Sequence, residues 1–321
     1  MSVNAITIDP AQAISVIGAY RRSYAMRIDR AADGTAFTRP EPNALTALWL
    51  VRMARDGVSK HQSLEQILDV LPGLTAGALE DAGKHEMATD ISGFVWAEAY
   101  GLLPLESPPL TRLELVLESG SGPRAIVGLL GAIWRVAFLG RAVSLFTWRY
   151  RERAEQELVR WSEHLRRRVE AFLTEGVVVD AAAVSQRGRI AYSLGQVMDV
   201  FGEEWSREQA RLVSEPLLGA VDLQDGKIGD QALSTAHLAQ LALGFHAGGL
   251  GHEAQAAVAL MLGQRRVGET QTLASGPSEP ERTELSPWVP MALQAVHGGE
   301  APSHGAPRGL RRLFARVPRS A

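Results

Sequence analysis

Apolar residues are unevenly spread along this chain, and their spacing divides it into helices. The densest run, Ala125 to Trp148, is apolar on every face and is interrupted by Arg135 and Arg141. After it, Ala154, Leu158, Trp161, Leu165, Val169 and Phe172 recur at intervals of 4, 3, 4, 4 and 3. That interval keeps them on one side of an α-helix. Arg151, Glu152, Arg153, Glu155, Glu157, Arg160, Glu163 and the triplet Arg166 to Arg168 fill the other faces. The pattern predicts two long helices as the core of the protein, a nearly buried one over 125–148 and an amphipathic one over 151–173.

The same reading extends along the chain. Asp9-Pro10 supplies an N-cap and a proline at the first helical position, opening a helix to about Ala31 that carries Ile14, Ile17, Tyr20, Tyr24 and Met26. Asn43 caps a helix through Met53 with Leu45, Leu48, Trp49 and Val51 inward. Further helices are expected over 59–71, 75–82, 90–103, 181–201 and 206–218. The second helix of the pair joined at Gly57 to Ser59 carries Glu65 and Asp69 and no arginine, which makes it a poor reader of a DNA groove. Leu113 to Glu118 is the best strand candidate. Gly219 to Asp230 reads as a polar loop, and Thr235 to Leu262 as a helical hairpin. The fold class is therefore mainly α, a set of helical hairpins in two packed domains. Pro104, Pro108 and Pro109 mark the boundary, giving an N-terminal domain over 1–104, a central one over 111–263 and a flexible tail over 264–321.

The apolar run is long enough for a bilayer, which needs about 20 apolar residues. Its two arginines each cost roughly 2.5–3.5 kcal/mol near the centre of a span. Six positions apart, they lie about 240° around a helix, so no single polar stripe hides both. A buried core helix with snorkelling arginines is the reading the pattern favours.

Composition narrows the classes. Hydrophobic residues make up 46% of the 321 positions and charged residues 21%, with a net charge of −3. These values describe a globular protein with no whole-chain electrostatic footprint for nucleic acid. There is no cysteine, so thiol nucleophiles, thiolate metal sites and disulfides are excluded. Lysine occurs only at positions 60, 84 and 227, an arginine bias that suggests a GC-rich bacterial genome. Asp9-Pro10 stands where a secretion signal needs its apolar centre. The expected location is cytoplasmic, with attachment to the inner membrane as a variant.

Candidate chemistry is sparse. Gly120, Gly122 and Ala125 follow the expected strand and precede the apolar helix, a G-x-G-x-x-A spacing that resembles the Rossmann dinucleotide fingerprint. The resemblance implies a nucleotide pyrophosphate held at Gly120 and Gly122. The acidic residue expected about 20 positions later is replaced by arginines near Arg149 to Arg151. Asp199, Glu203, Glu204 and Glu208 form an acidic cluster without the spacing of a cation loop. His237 and His246 are nine apart and point to opposite helix faces, and His252 belongs to no H-E-x-x-H motif. Leu238, Leu241, Ala242, Phe245, Gly249, Ala254 and Val258 are spaced so that this hairpin resembles one tetratricopeptide unit, which implies protein partners. A partial echo, Leu194-Gly195, Met198 and Gly202, precedes it. In the tail, Trp288, Met291 and Leu293 form an apolar island. Arg308 to Arg319 carries Arg311, Arg312 and Phe314 in a basic amphipathic stretch without acids. These six residues are the expected partner-binding positions, suited to a protein or to an anionic membrane surface.

The function this supports is a non-catalytic helical adaptor or assembly component of a larger bacterial complex, with protein partners and no cofactor or metal. The alternatives are a nucleotide-binding enzyme using the Gly120 to Ala125 turn, and a protein held at a membrane by the apolar helix and the basic C-terminus.

Overall fold

The computed structural model describes residues 9–31, 40–55, 86–100, 110–120, 128–176, 179–264, 266–267, 272–283 and 286–297. It is mainly helical. The helices are α1 (Pro10–Ala31), α2 (Pro40–Arg55), α3 (Glu86–Ala99), α4 (Leu110–Ser119), α5 (Leu129–Ala142) and α6 (Trp148–Thr174). They continue with α7 (Ala181–Leu194), the short α8 (Met198–Phe201), α9 (Glu203–Leu218), α10 (Thr235–Ala247), α11 (Gly251–Leu262) and α12 (Trp288–His297). Two small antiparallel sheets accompany them: β1 (Val221–Asp222), β2 (Lys227–Ile228) and β3 (Gln231–Ala232), and β4 (Arg266–Val267), β5 (Thr272–Gly276) and β6 (Glu279–Thr283). The expected helices over 59–71 and 75–82 lie outside the described residues.

The chain forms two compact units built from interleaved segments: 1–38, 173–195 and 207–300 in the first, and 39–172, 196–206 and 301–321 in the second. This differs from the expected order of domains. α3 and α4, on the two sides of the boundary expected near residue 104, both belong to the second unit and pack together.

In the second unit α3 packs on α2 and, most extensively, on α5. Gly93 of α3 faces Phe138 of α5, where a Cβ would stand 2.7 Å from the ring. Phe94 meets Trp134 edge to face at 5.7 Å. Asp90 meets Arg135, Gly93 meets Phe138 and Glu98 meets Arg141, so α3 and α5 run in the same direction. The apolar run is buried as expected between Ile133 and Val143, but its helix ends at Ala142. A turn follows, α6 begins at Trp148, and that tryptophan is 81% exposed rather than part of the core. Along α6, Ala154, Leu158, Trp161, Leu165 and Val169 of the expected stripe are buried, and its last residue, Phe172, is half-buried. Leu113 to Glu118 is helical, not a strand. Its two acids and exposed Leu115 leave Leu113, Val116 and Leu117 on one buried side, a helical rather than an alternating pattern.

In the first unit the closest approach is between α7 and α10. A Cβ on Gly188 would stand 2.5 Å from the Gln240 carbonyl oxygen, and one on Gly244 would stand 2.9 Å from the Gly188 Cα. Glycine at both positions lets the two backbones touch. Asp180 caps α7 by accepting from the Ala183 N–H at 2.7 Å. The α10–α11 hairpin turns at Gly249, whose φ is 76°. There the Leu250 N–H donates to Phe245 O at 2.8 Å and the Gly249 N–H to His246 O at 3.1 Å. This is the Schellman arrangement, and it requires a left-handed residue at Gly249.

Helix α1 is capped by Asp9, whose Oδ1 accepts from the Ala11 N–H at 2.9 Å. Its packing face is Ala13, Val16, Ala19 and the expected Tyr20, while Ile14, also expected there, is 62% exposed. The expected tail is ordered well past residue 264. β5 is tied to α10 by the Thr235 hydroxyl donating to Ala274 O at 2.5 Å, and α12 packs on α1, α10 and α11.

Candidate functional site

The most elaborate polar arrangement among the described residues surrounds the two arginines of α5. Arg135 is 2% exposed. Its Nη1 donates to Asp90 Oδ1 of α3 at 3.0 Å, and its Nη2 to Glu157 Oε2 of α6 at 2.6 Å. The same nitrogens donate to Val116 O and Leu117 O at 3.1 and 3.2 Å. Those carbonyls belong to the last turn of α4, which has no backbone donors for them within the helix; Val116 O also accepts from the Ser119 hydroxyl at 3.0 Å. A cation there also complements the negative end of the helix dipole. One guanidinium thus joins α3, α4, α5 and α6. Burial pulls the Arg135 pKa down, but Asp90 and Glu157 outweigh it and hold the group above its ordinary value.

Gly120 closes this site. A Cβ on it would overlap the Arg135 guanidinium, so the residue makes room for the arginine. Arg141 is treated in parallel: its Nε donates to Glu98 of α3 at 2.8 Å and its Nη1 to Asp199 of α8 at 3.1 Å. Gly140, beside it, has no space for a Cβ because Val200 of α8 fills it. The arginines do not snorkel, as the sequence suggests. Each is met inside the unit by two carboxylates. Charge-assisted hydrogen bonds of this kind commit both partners, which suits the cluster to fixing four helices rather than to moving protons.

The remaining candidates are structural or dispersed. Gly120 follows a helix, so the strand that a dinucleotide turn requires is absent; Gly122 lies outside the described residues. Trp288, Met291 and Leu293 are at most 7% exposed, and Trp288 meets Tyr192 edge to face at 5.6 Å. They are core residues of the first unit, packed against α10 rather than presented on its surface. Arg311, Arg312 and Phe314 lie outside the described residues. Of the acidic cluster, Asp199 pairs with Arg141, and Glu208 binds Arg211 through both oxygens at 2.9 and 3.0 Å.

The histidines have packing roles. Ser234 Oγ accepts from the His237 N–H at 3.2 Å, and His237 Nδ1 accepts from the Ser234 N–H at 3.4 Å. This is a capping box with histidine where Glu or Gln usually stands. Burial holds the His237 imidazole below its ordinary pKa. Burial and then Arg207 do the same to His246.

What sequence reasoning missed was the matching of charges. Asp90 and Glu98 interrupt an apolar helix as Arg135 and Arg141 interrupt theirs, and charges in such surroundings are stable only when paired. Among the described residues of the second unit two large apolar side chains stay on the surface, Trp148 and, at 51% exposure, Leu115 of α4. The Tyr150 hydroxyl donates to Glu118 Oε1 at 3.1 Å, which fixes the start of α6 against α4. Among the described residues no helix is long and apolar enough to cross a membrane. No known protein family, curated protein or solved structure matches the chain.

Proposed function

We propose that this chain is a non-catalytic helical adaptor, an assembly component that binds other proteins through exposed positions on its helices. The observation that carries this reading is Trp148. It heads a 27-residue helix whose other large apolar residues face inward, and yet it is 81% exposed. Tryptophan is the residue most enriched at the energetic centres of protein interfaces, and Leu115 adds a second exposed apolar side chain on the same unit. The buried arginine cluster supports the reading from the other side. It makes the second unit a braced platform, and its carboxylates are occupied by structural pairs.

Affinity capture from the source cells should return a partner in near-equal amount. Trp148→Ala, which removes no buried contact, should lower its recovery at least about tenfold, the usual consequence of losing a central interface tryptophan. Equal recovery with the variant would remove Trp148 from the interface and with it the main support for this reading.

A further inference from the structure

The first unit carries an open groove of roughly 440 Å³ between α11 and the β1–β2 turn. Its floor is Ala256, Ala259, Leu260 and Gly263, with Leu223 and Gln224 on the opposite wall. Along α11 the floor residues stand at i, i+3, i+4 and i+7, so they share one helix face. Three of the four are Ala or Gly, which leaves a shallow channel where another helix can approach closely. Burial is incomplete: Ala259 and Leu260 are half-buried although both are apolar.

The rim is acidic. Asp222 and Asp225 flank Leu223 and Gln224, and both are exposed. Glu253 precedes Ala256 by one turn on the same face of α11. Lys227 offsets part of this charge through its pair with Asp225 at 3.3 Å. Arg266, beyond the other end, is engaged with the Ser15 hydroxyl at 2.9 Å. Three carboxylates against two cations, Lys227 and an Arg266 whose serine partner leaves its charge intact, keep the rim net negative, which favours a cationic occupant.

The sequence contains a segment with the complementary pattern. Leu310, Leu313, Phe314 and Val317 are also spaced i, i+3, i+4 and i+7, and Arg308, Arg311, Arg312, Arg316 and Arg319 surround them without an acid. Large residues at the spacing of small ones, and arginines opposite carboxylates, are the two requirements of helix-in-groove recognition. We propose that this groove receives the C-terminal stretch 308–319 of a second copy of the chain. Reciprocal exchange between two copies gives a closed, two-fold assembly. Phe314 is the anchor over Ala259, and Arg311 and Arg312 meet the acidic rim. This interface does not involve Trp148 and stands independently of the adaptor reading.

Sedimentation velocity of the full chain across the micromolar range tests it. The expected result is a reversible dimer. Phe314→Ala should weaken it roughly tenfold or more, as loss of an interface anchor does, and so should Ala259→Trp, which fills the channel from a half-buried position. Because Phe314 is distant in sequence from the groove residues, Phe314→Ala decides the matter even if Ala259→Trp disturbs folding. Raising salt should also weaken the dimer, since exposed charge pairs are screened. A chain that stays monomeric throughout overturns the proposal. So does a dimer that keeps its affinity in the Phe314→Ala variant. Either outcome leaves partner capture through Trp148 untouched, so the two readings fail separately.

Discussion

Helices α5 and α10 hold the same place in their respective units. Both are strongly apolar, both are buried nearly all round, and each makes the most extensive helix contact of its unit. They meet their neighbours by opposite means. α5 brings a long cation into the interior and needs atoms placed to receive it: Asp90, Glu157 and two carbonyls of α4. α10 needs an absence, because Gly188 and Gly244 let two backbones come together where any Cβ would collide. The first contact is specified by complementary charge and the second by shape. They should therefore fail differently, one when a group is removed and the other when a group is added.

The largest loss should come from removing the cation. Arg135→Met keeps an apolar stem but takes from Asp90 and Glu157 the buried cation they share, with Glu157 retaining only its half-exposed pair with Arg153 at 3.3 Å. Breaking a buried pair in this way costs roughly 3–5 kcal/mol. The expected measurement is a large fall in the denaturation midpoint followed by circular dichroism. Adding Asp90→Asn and Glu157→Gln to that variant should recover part of the loss, because the uncompensated charges go with the carboxylates. If the triple variant is less stable than Arg135→Met alone, the charges are not what the arginine balances.

Adding a single carbon tests the other contact. Gly188→Ala gains about 1 kcal/mol of helix propensity, yet places a Cβ 2.5 Å from the Gln240 carbonyl oxygen. Backbone atoms cannot swing aside as a side chain does, so overpacking of roughly 1–3 kcal/mol or more should win. Gly219→Ala, whose Cβ would meet nothing within 4 Å, should stay within about 0.5 kcal/mol of the parent. Equal stability of these two variants would refute the close approach of α7 and α10.

The same contrast decides what was legible in the sequence. Local signals located most of the inward stripe of α6, the cap of α1 at Asp9 and the α10–α11 hairpin, since each is set by residues near one another in the chain. Where tertiary partners decided, it misled. Leu113 to Glu118 alternates well enough to suggest a strand, but its last-turn carbonyls are satisfied as a helix by Arg135, 18 and 19 residues further along. Gly120 and its neighbours match the spacing of a nucleotide turn, although Gly120 answers to the bulk of that same arginine. The island at Trp288 has the composition of a docking segment, and α10 is what it docks on. Arg135 and Arg141 stood out at once, whereas their carboxylates on α3, α6 and α8 are separated from them in sequence and became partners only through folding.

The smallest effect is a dependence of stability on pH. His237 completes the cap of α10 only while its Nδ1 is unprotonated and free to accept from Ser234. In the unfolded chain an imidazole takes up its proton near pH 6.5, whereas burial lowers that value in the folded state. Between the two values the unfolded chain binds more protons, so stability rises with pH. This contribution is intact above about pH 6.5 and is lost as pH falls through the lower, folded value. His237→Gln keeps a side chain able to complete the box and removes the titration. It should change stability at neutral pH by less than about 1 kcal/mol, the usual worth of a cap, and should flatten the acid side of the stability profile. Some slope should remain, because burial and Arg207 depress His246 in the same direction, and burial with Arg168 and Arg167 does so to His164 in the second unit. An acid limb as steep in the variant as in the parent would mean that His237 is not a group whose protonation the fold resists.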